Sequence, residues 1–296
     1  MPGTARTYAS QARGDRMRRV VATLVVALAV LLAGCGAGPG DDGGRTVNPA
    51  LATTPTASST PTPDPGHPPG ISGTGVDVPT LAASHDRALR DVNSTVRFRR
   101  TVVAANGTVL STRRSVIEQA GSRLGGDYVR NGSPPGEDSP PIKGFAFWTN
   151  GSVTALRTVD AGGAVSYRAV PGEPPTIANT DDSGEELVVD AFAGTDLRLD
   201  RPVVVAGERL YLLTADHERL DRGDDRVARN FSATAYVTER GVVSGYELRY
   251  TATYGTENES VTATVTERFR VTTGDTDAAP PAWVEEAWRA ENRSGG

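Results

Sequence analysis

Only one cysteine, Cys35, occurs in the chain. No internal disulfide can form, and no cysteine-based zinc centre can be assembled. Histidines are nearly as scarce: His67, His85 and His217 are far apart, whereas a structural zinc site gathers Cys and His at short spacing. Lys143 is the sole lysine, every other basic residue is arginine, and acidic residues exceed basic ones, with a formal charge of -5. Phosphate backbones need a basic patch; outside the first 20 residues only the short Phe-Arg-Arg and Thr-Arg-Arg runs are basic. No Gly-x-Ser-x-Gly nucleophile motif is present. Gly73-Thr74-Gly75 has neither a preceding strand nor a following Gly-Lys to make a phosphate loop. The acidic stretches at 181–186 and 221–225 lack the alternation and terminal glutamate of an EF-hand and are expected to be solvated loops. His217, between Asp216 and Glu218, is expected on a surface turn, because sequence neighbours point in different directions. His85 is expected on the polar face of a helix. No metal, cofactor or catalytic residue is assigned, and the expectation is that the chain is not an enzyme. A carboxylate pair assembled in space, as in glycosidases, leaves no local sequence signal.

Long apolar runs are also missing, except from Val20 to Ala33. That run is short for a membrane-spanning helix of about 20 residues. Arg13, Arg16, Arg18 and Arg19 precede it, and small residues follow; this is the layout of an export signal. Met17 would begin a more compact signal, which makes it an alternative start. Leu32-Ala33-Gly34-Cys35 resembles the lipobox of prokaryotic lipoproteins. The resemblance implies that the Cys35 sulfur carries a diacylglyceryl group and that cleavage leaves Cys35 as the first residue. An ordinary secretory signal and an uncleaved anchor are the alternatives. Two acyl chains bind a membrane stably where one binds marginally. The expected location is therefore the cell membrane, lipid-anchored, with the domain facing outward.

The expected organisation is a signal peptide over 1–34, a tether over 35–79, a globular domain over 80–289 and a polar tail over 290–296. The tether is rich in Gly, Pro, Thr and Ser and has too little apolar area to offset its ordering entropy. It reads as a plain linker or as an O-glycosylated spacer. Seven Asn-x-Ser/Thr sequons occur, and Asn106 and Asn150, each in an Asn-Gly turn, are the favoured N-glycosylation sites.

Within the domain, Leu81, Ala82, Ala88, Leu89 and Val92 mark one amphipathic helix. Alternation then takes over. Val96 and Phe98 share a phase with Arg100, which breaks the apolar pattern. Asn106-Gly107 and Asn150-Gly151 are hairpin signals. Leu187, Val188, Ala191 and Phe192 suit a second helix. The clearest pattern comes late: Val242, Tyr246, Leu248, Tyr250, Ala252 and Tyr254 in one strand, then Val261, Ala263, Val265, Phe269 and Val271 in the next. Long antiparallel strands with one wet face are expected.

The helix start at Ser84–Leu89, the late strand pair and the closing Pro280–Ala287 resemble uncharacterised haloarchaeal lipoproteins. Their order is similar to the carrier superfamily of LolA and the LppX/LprG-like lipoproteins. That resemblance implies a mainly β, α+β fold: a curved antiparallel sheet, or half-barrel, with a few helices on its concave face. It also implies a cavity for acyl chains, which Tyr246, Leu248, Tyr250, Val261, Val265 and Phe269 would line. The main functional expectation is a surface structural or adaptor lipoprotein. The alternative is a carrier or sensor of a lipid or other apolar molecule, and an extracellular hydrolase is the third reading. Expected partners are the membrane, through covalent lipid, with an apolar ligand and an envelope protein as further candidates; nucleic acid is not expected.

Overall fold

The chain divides into residues 1–58 and residues 59–296. The computed structural model describes residues 66–137, 139–171, 183–222, 227–256 and 259–294. The expected signal, the lipobox with Cys35 and most of the expected tether lie outside the described residues.

A two-residue hairpin, β1 (Ile71–Ser72) and β2 (Gly75–Val76), precedes helix α1 (Val78–Leu89). Asp77 caps α1: its carboxylate accepts from the Thr80 amide at 3.1 Å, a contact worth about 1 kcal/mol. Leu81, Ala82, His85 and Leu89 form its buried stripe. His85 is thus inside, not on the polar face expected from sequence. Its Nδ1 accepts from the Val243 amide at 3.1 Å, and Nε2 stands 2.8 Å from the Ser183 carbonyl. That pattern makes Nε2 the protonated nitrogen of a neutral ring. A histidine fits this apolar stripe because both ring nitrogens find main-chain partners there.

Six strands follow as a meander: β3 (Ser94–Ala104), β4 (Val109–Ala120), β5 (Arg123–Asn131), β6 (Ile142–Thr149), β7 (Val153–Asp160) and β8 (Val165–Pro171). Helix α2 (Glu185–Phe192) comes next. A second meander completes the sheet: β9 (Arg198–Val205), β10 (Glu208–Asp221), β11 (Val227–Thr238), β12 (Val243–Thr256) and β13 (Glu259–Thr273). Helix α3 (Val284–Ser294) ends the described chain. The sheet order is β8-β7-β6-β5-β4-β3-β13-β12-β11-β10-β9, with each neighbouring pair antiparallel.

A mainly β architecture with a few helices agrees with the sequence expectation. The half-barrel does not. The sheet is open, its edges β8 and β9 do not pair, and it is neither closed nor strongly curled. The connection through α2 carries the chain from one edge strand to the other, so the second meander returns inward and β13 pairs with β3 at the middle. Alternating apolar residues specify a two-faced sheet but not its curvature or closure, which depend on bulges and edge pairing.

The helices do not share one face either. α1 and α2 pack with Val96, Val265, Leu248 and Phe269 in the main core. α3 packs against β7 and β8, where Val284 and Ala287 meet Trp148, Ala155 and Ala169. Register places Trp148 opposite Gly125, Gly125 opposite Glu118, and Glu118 opposite Thr95. Thr95 belongs to the phase opposite Val96 and Phe98, so α3 covers the other face of the sheet. The Trp148 indole donates to the Ala278 carbonyl at 2.9 Å.

Candidate functional site

The inward phase of β3 runs Val96, Phe98, Arg100, Val102 and Ala104, and that of β13 includes Val265, Glu267 and Phe269. Each strand thus places one charged residue in an apolar row. Register sets Arg100 directly opposite Glu267. Arg100 Nε lies 3.1 Å from Glu267 Oε1, although its N–H is not aligned for a hydrogen bond. Arg100 Nη2 donates to the hydroxyls of Tyr254 at 3.2 Å and Tyr250 at 3.5 Å.

The same row continues across the sheet. Arg113 on β4 stands opposite Arg100, and Arg130 on β5 opposite Arg113. Arg130 Nη2 pairs with Glu137 at 2.9 Å. Arg113 is held by rings instead. Its guanidinium lies 5.5 Å from the Phe98 centroid and 5.3 Å from that of Tyr128, within cation–π range.

A cleft of about 630 Å³ opens along this row between the sheet and α2. Phe98, Leu187, Ala193, Ala228 and Tyr250 supply its apolar walls; Arg100, Arg113, Arg222, Glu267, Asp190 and Asp221 supply its charge. Arg222 closes onto the end of α2, donating to the carbonyls of Ala191 at 2.8 Å and Asp190 at 2.7 Å. Those carbonyls carry the negative end of the helix dipole. Its guanidinium also lies 5.7 Å from the Phe231 centroid and 5.6 Å from that of Tyr250.

Burial pushes the Glu267 carboxyl upward, and the charges of Arg100, Arg222 and Arg113 only partly offset this. Burial works against the charge of Arg100, yet Tyr250, Tyr254 and Glu267 together raise it, so it stays a guanidinium. Burial also raises the Tyr246 phenol well above its ordinary range. No group of three or more His, Cys, Asp or Glu side chains among the described residues is arranged to hold a metal.

The residues expected to line an apolar pocket are placed differently from the cleft. Tyr246, Leu248, Tyr250, Val265 and Phe269 are buried in the main core, with Val261 packed against it. Tyr246 stacks on Phe269 at 5.1 Å and meets Phe192 of α2 edge-on at 5.3 Å. Of the six, only Tyr250 is among the residues lining the cleft. The main signal for the cleft in the sequence is the pair of phase violations, Arg100 and Glu267; Arg113 and Arg222 give none of their own. Of the other candidates, Asn106 and Asn150 are exposed, and each side-chain oxygen accepts main-chain amides of its own turn. His217 lies within β10 rather than in a turn, accepting from the Asp196 amide at 3.1 Å. The ring of His67 lies 6.0 Å from that of Tyr211.

No family model matches the chain, and no curated protein matches its sequence. Among solved structures it is similar to LprF from Mycobacterium bovis, at 11% identity and a TM-score of 0.31, over 71% of this chain and 97% of that one. It is similar also to lipoprotein LppX from Mycobacterium tuberculosis, at 10% identity and a TM-score of 0.29, over 69% and 97%. A LolA superfamily protein from Nitrosomonas europaea matches at 8% identity and a TM-score of 0.21, over 68% and 93%. At these identities and scores the likenesses carry no argument about superfamily or function, and the expected haloarchaeal family is not shown.

Proposed function

We propose that this chain is a membrane-tethered extracytoplasmic domain that binds an apolar or amphipathic small molecule, as a carrier or sensor. The observation that carries the reading is the cleft between α2 and the sheet. Its volume of about 630 Å³ falls within the roughly 300–1,000 Å³ range of small-molecule sites, and its lining combines an apolar wall with six charged side chains. Tethering through Cys35 would hold that cleft near the membrane surface, where amphipathic molecules partition. No helix among the described residues is long and apolar enough to cross a membrane.

A purely structural or adaptor role is the second reading. The packed core supports it, because Leu248 and Phe269 are buried in one cluster with residues of α2 and Tyr246 stacks on Phe269. Native mass spectrometry of residues 36–296 purified from its exporting host separates the two. A bound small molecule at one per chain, removable by solvent extraction and restored on re-addition, is the expected result. A chain that carries no adduct and gives no saturable titration with any apolar or amphipathic probe overturns the binding reading in favour of the structural one.

A further inference from the structure

We infer that the ligand of this cleft is an anionic amphiphile, whose carboxylate or phosphate is received by Arg113 and whose apolar body lies along Phe98, Leu187 and Tyr250. The inference rests on the binding reading above and names its ligand class. It starts from the cross-strand row Glu267–Arg100–Arg113–Arg130. Directly opposed like charges destabilise a sheet, and here three guanidiniums stand side by side. The two outer ones are neutralised, Arg100 by Glu267 and Arg130 by Glu137. Arg113, between them, takes part in no hydrogen bond or ion pair among the described residues. Asp190 and Asp221 also line the cleft, but neither pairs with Arg113.

Arg113 is nonetheless held in place. The Phe98 and Tyr128 rings contact the guanidinium and leave its N–H donors without an acceptor among the described residues. A ring-held guanidinium with open donors suits the planar, two-point binding of a carboxylate or phosphate. Arg113 is exposed to solvent, and an anion placed there exchanges that water for a counter-charge between Arg100 and Arg130. A small free anion would leave the apolar walls wet, so the walls and the arginine together select a molecule with both characters.

The test uses residues 36–296, which contain every described element. Dodecanoate, dodecyl phosphate and neutral dodecyl maltoside, each below its micelle concentration, are titrated at low ionic strength and followed by calorimetry. One-site binding of at least one anionic probe, at least tenfold tighter than the neutral one, is expected; which anion binds identifies the headgroup as carboxylate or phosphate. Arg113→Gln should weaken that binding at least tenfold with an unchanged unfolding midpoint, and Arg113→Lys should restore part of it. Equal binding of the neutral probe, or undiminished binding to Arg113→Gln, overturns the anionic assignment while leaving the cleft a ligand site. Inorganic phosphate or acetate competing as strongly as the dodecyl compounds overturns the amphiphile. Failure of all three probes to bind overturns the inference together with the binding reading.

Discussion

Arg100 and Glu267 face each other directly across β3 and β13, with Nε and Oε1 3.1 Å apart, at the seam where the two meanders join. Removing one partner of a buried pair leaves the other charge uncompensated, whereas replacing both with apolar residues is often neutral. Arg100→Met should therefore destabilise the domain by about 3 kcal/mol, the lower end of the usual range because the side chain keeps some solvent contact. The double change Arg100→Met/Glu267→Leu should recover most of that loss. Urea unfolding midpoints of the wild type, both single variants and the double variant give the coupling. Additive losses would show that the two side chains act independently.

Glu267 also gives a pH signature. Its folded carboxyl is pushed above the ordinary value of 4.5, first by burial. The folded state therefore binds this proton more tightly than the unfolded chain, and stability rises as pH falls through the raised value. The gain is complete below the unfolded value, and above the raised value it is absent. Glu267→Gln should remove this component, flattening the stability profile between 4.5 and the raised value. Thermal midpoints across that window check it; an identical pH slope in both proteins would contradict the assignment.

Much of the framework was legible locally. Alternation in β12 and β13 identified long strands, Asn106-Gly107 and Asn150-Gly151 identified hairpins, and the apolar stripe at Leu187–Phe192 identified α2. The sheet order was not legible, because pairing β13 with β3 is a contact between segments far apart in the chain. Hydrophobic pattern fixes which face is buried but not which strand lies alongside. The cleft was half legible. Arg100 stood out as a charge in an apolar phase, and Glu267 sat in the same phase as Val265 and Phe269. Their meaning required the register that sets them opposite each other. Arg222 could not be found at all, since its acceptors are main-chain carbonyls of a distant helix.

The packed domain reaches further toward the amino terminus than residue 80. Ile71 is buried in the main core, and the Tyr211 hydroxyl donates to the Gly66 carbonyl at 3.0 Å. A fragment of residues 80–296 loses these contacts and the Asp77 cap, while one of residues 66–296 keeps them. The longer fragment should be the more stable by roughly 2–4 kcal/mol, summing one large buried aliphatic side chain and one helix cap. Equal denaturant midpoints would show that β1 and β2 add nothing.

Cys35 lies outside the described residues, and its role is a chemical proposal. Cys35→Ser removes the only thiol and should abolish lipid modification, shifting the chain from the membrane fraction to the soluble one. The folded domain should be unaffected, with the same circular dichroism and the same unfolding midpoint. Intact-mass measurement of the membrane-extracted chain decides it, since a diacylglyceryl mass on the serine variant would rule out the sulfur as the attachment point.

Leu248 discriminates between a filled core and an acyl cavity. It is fully buried, lies opposite Glu267 on β13 and Ala233 on β11, and shares its cluster with Val265, Phe269 and α1. In a filled core, Leu248→Ala removes methyl groups from close contact and leaves a cavity, at a cost of about 2–5 kcal/mol. In a ligand-lining wall, the same change would cost much less in the empty protein and would act mainly on binding. The packing seen around Leu248 predicts the first outcome: a large loss of stability, with affinity for the dodecyl probes unchanged in the fraction that remains folded. Denaturant unfolding and calorimetric titration of the same sample measure both quantities. A stable Leu248→Ala variant with weakened probe binding would instead place the apolar body of the ligand in the core beneath α2, away from the Arg113 cleft.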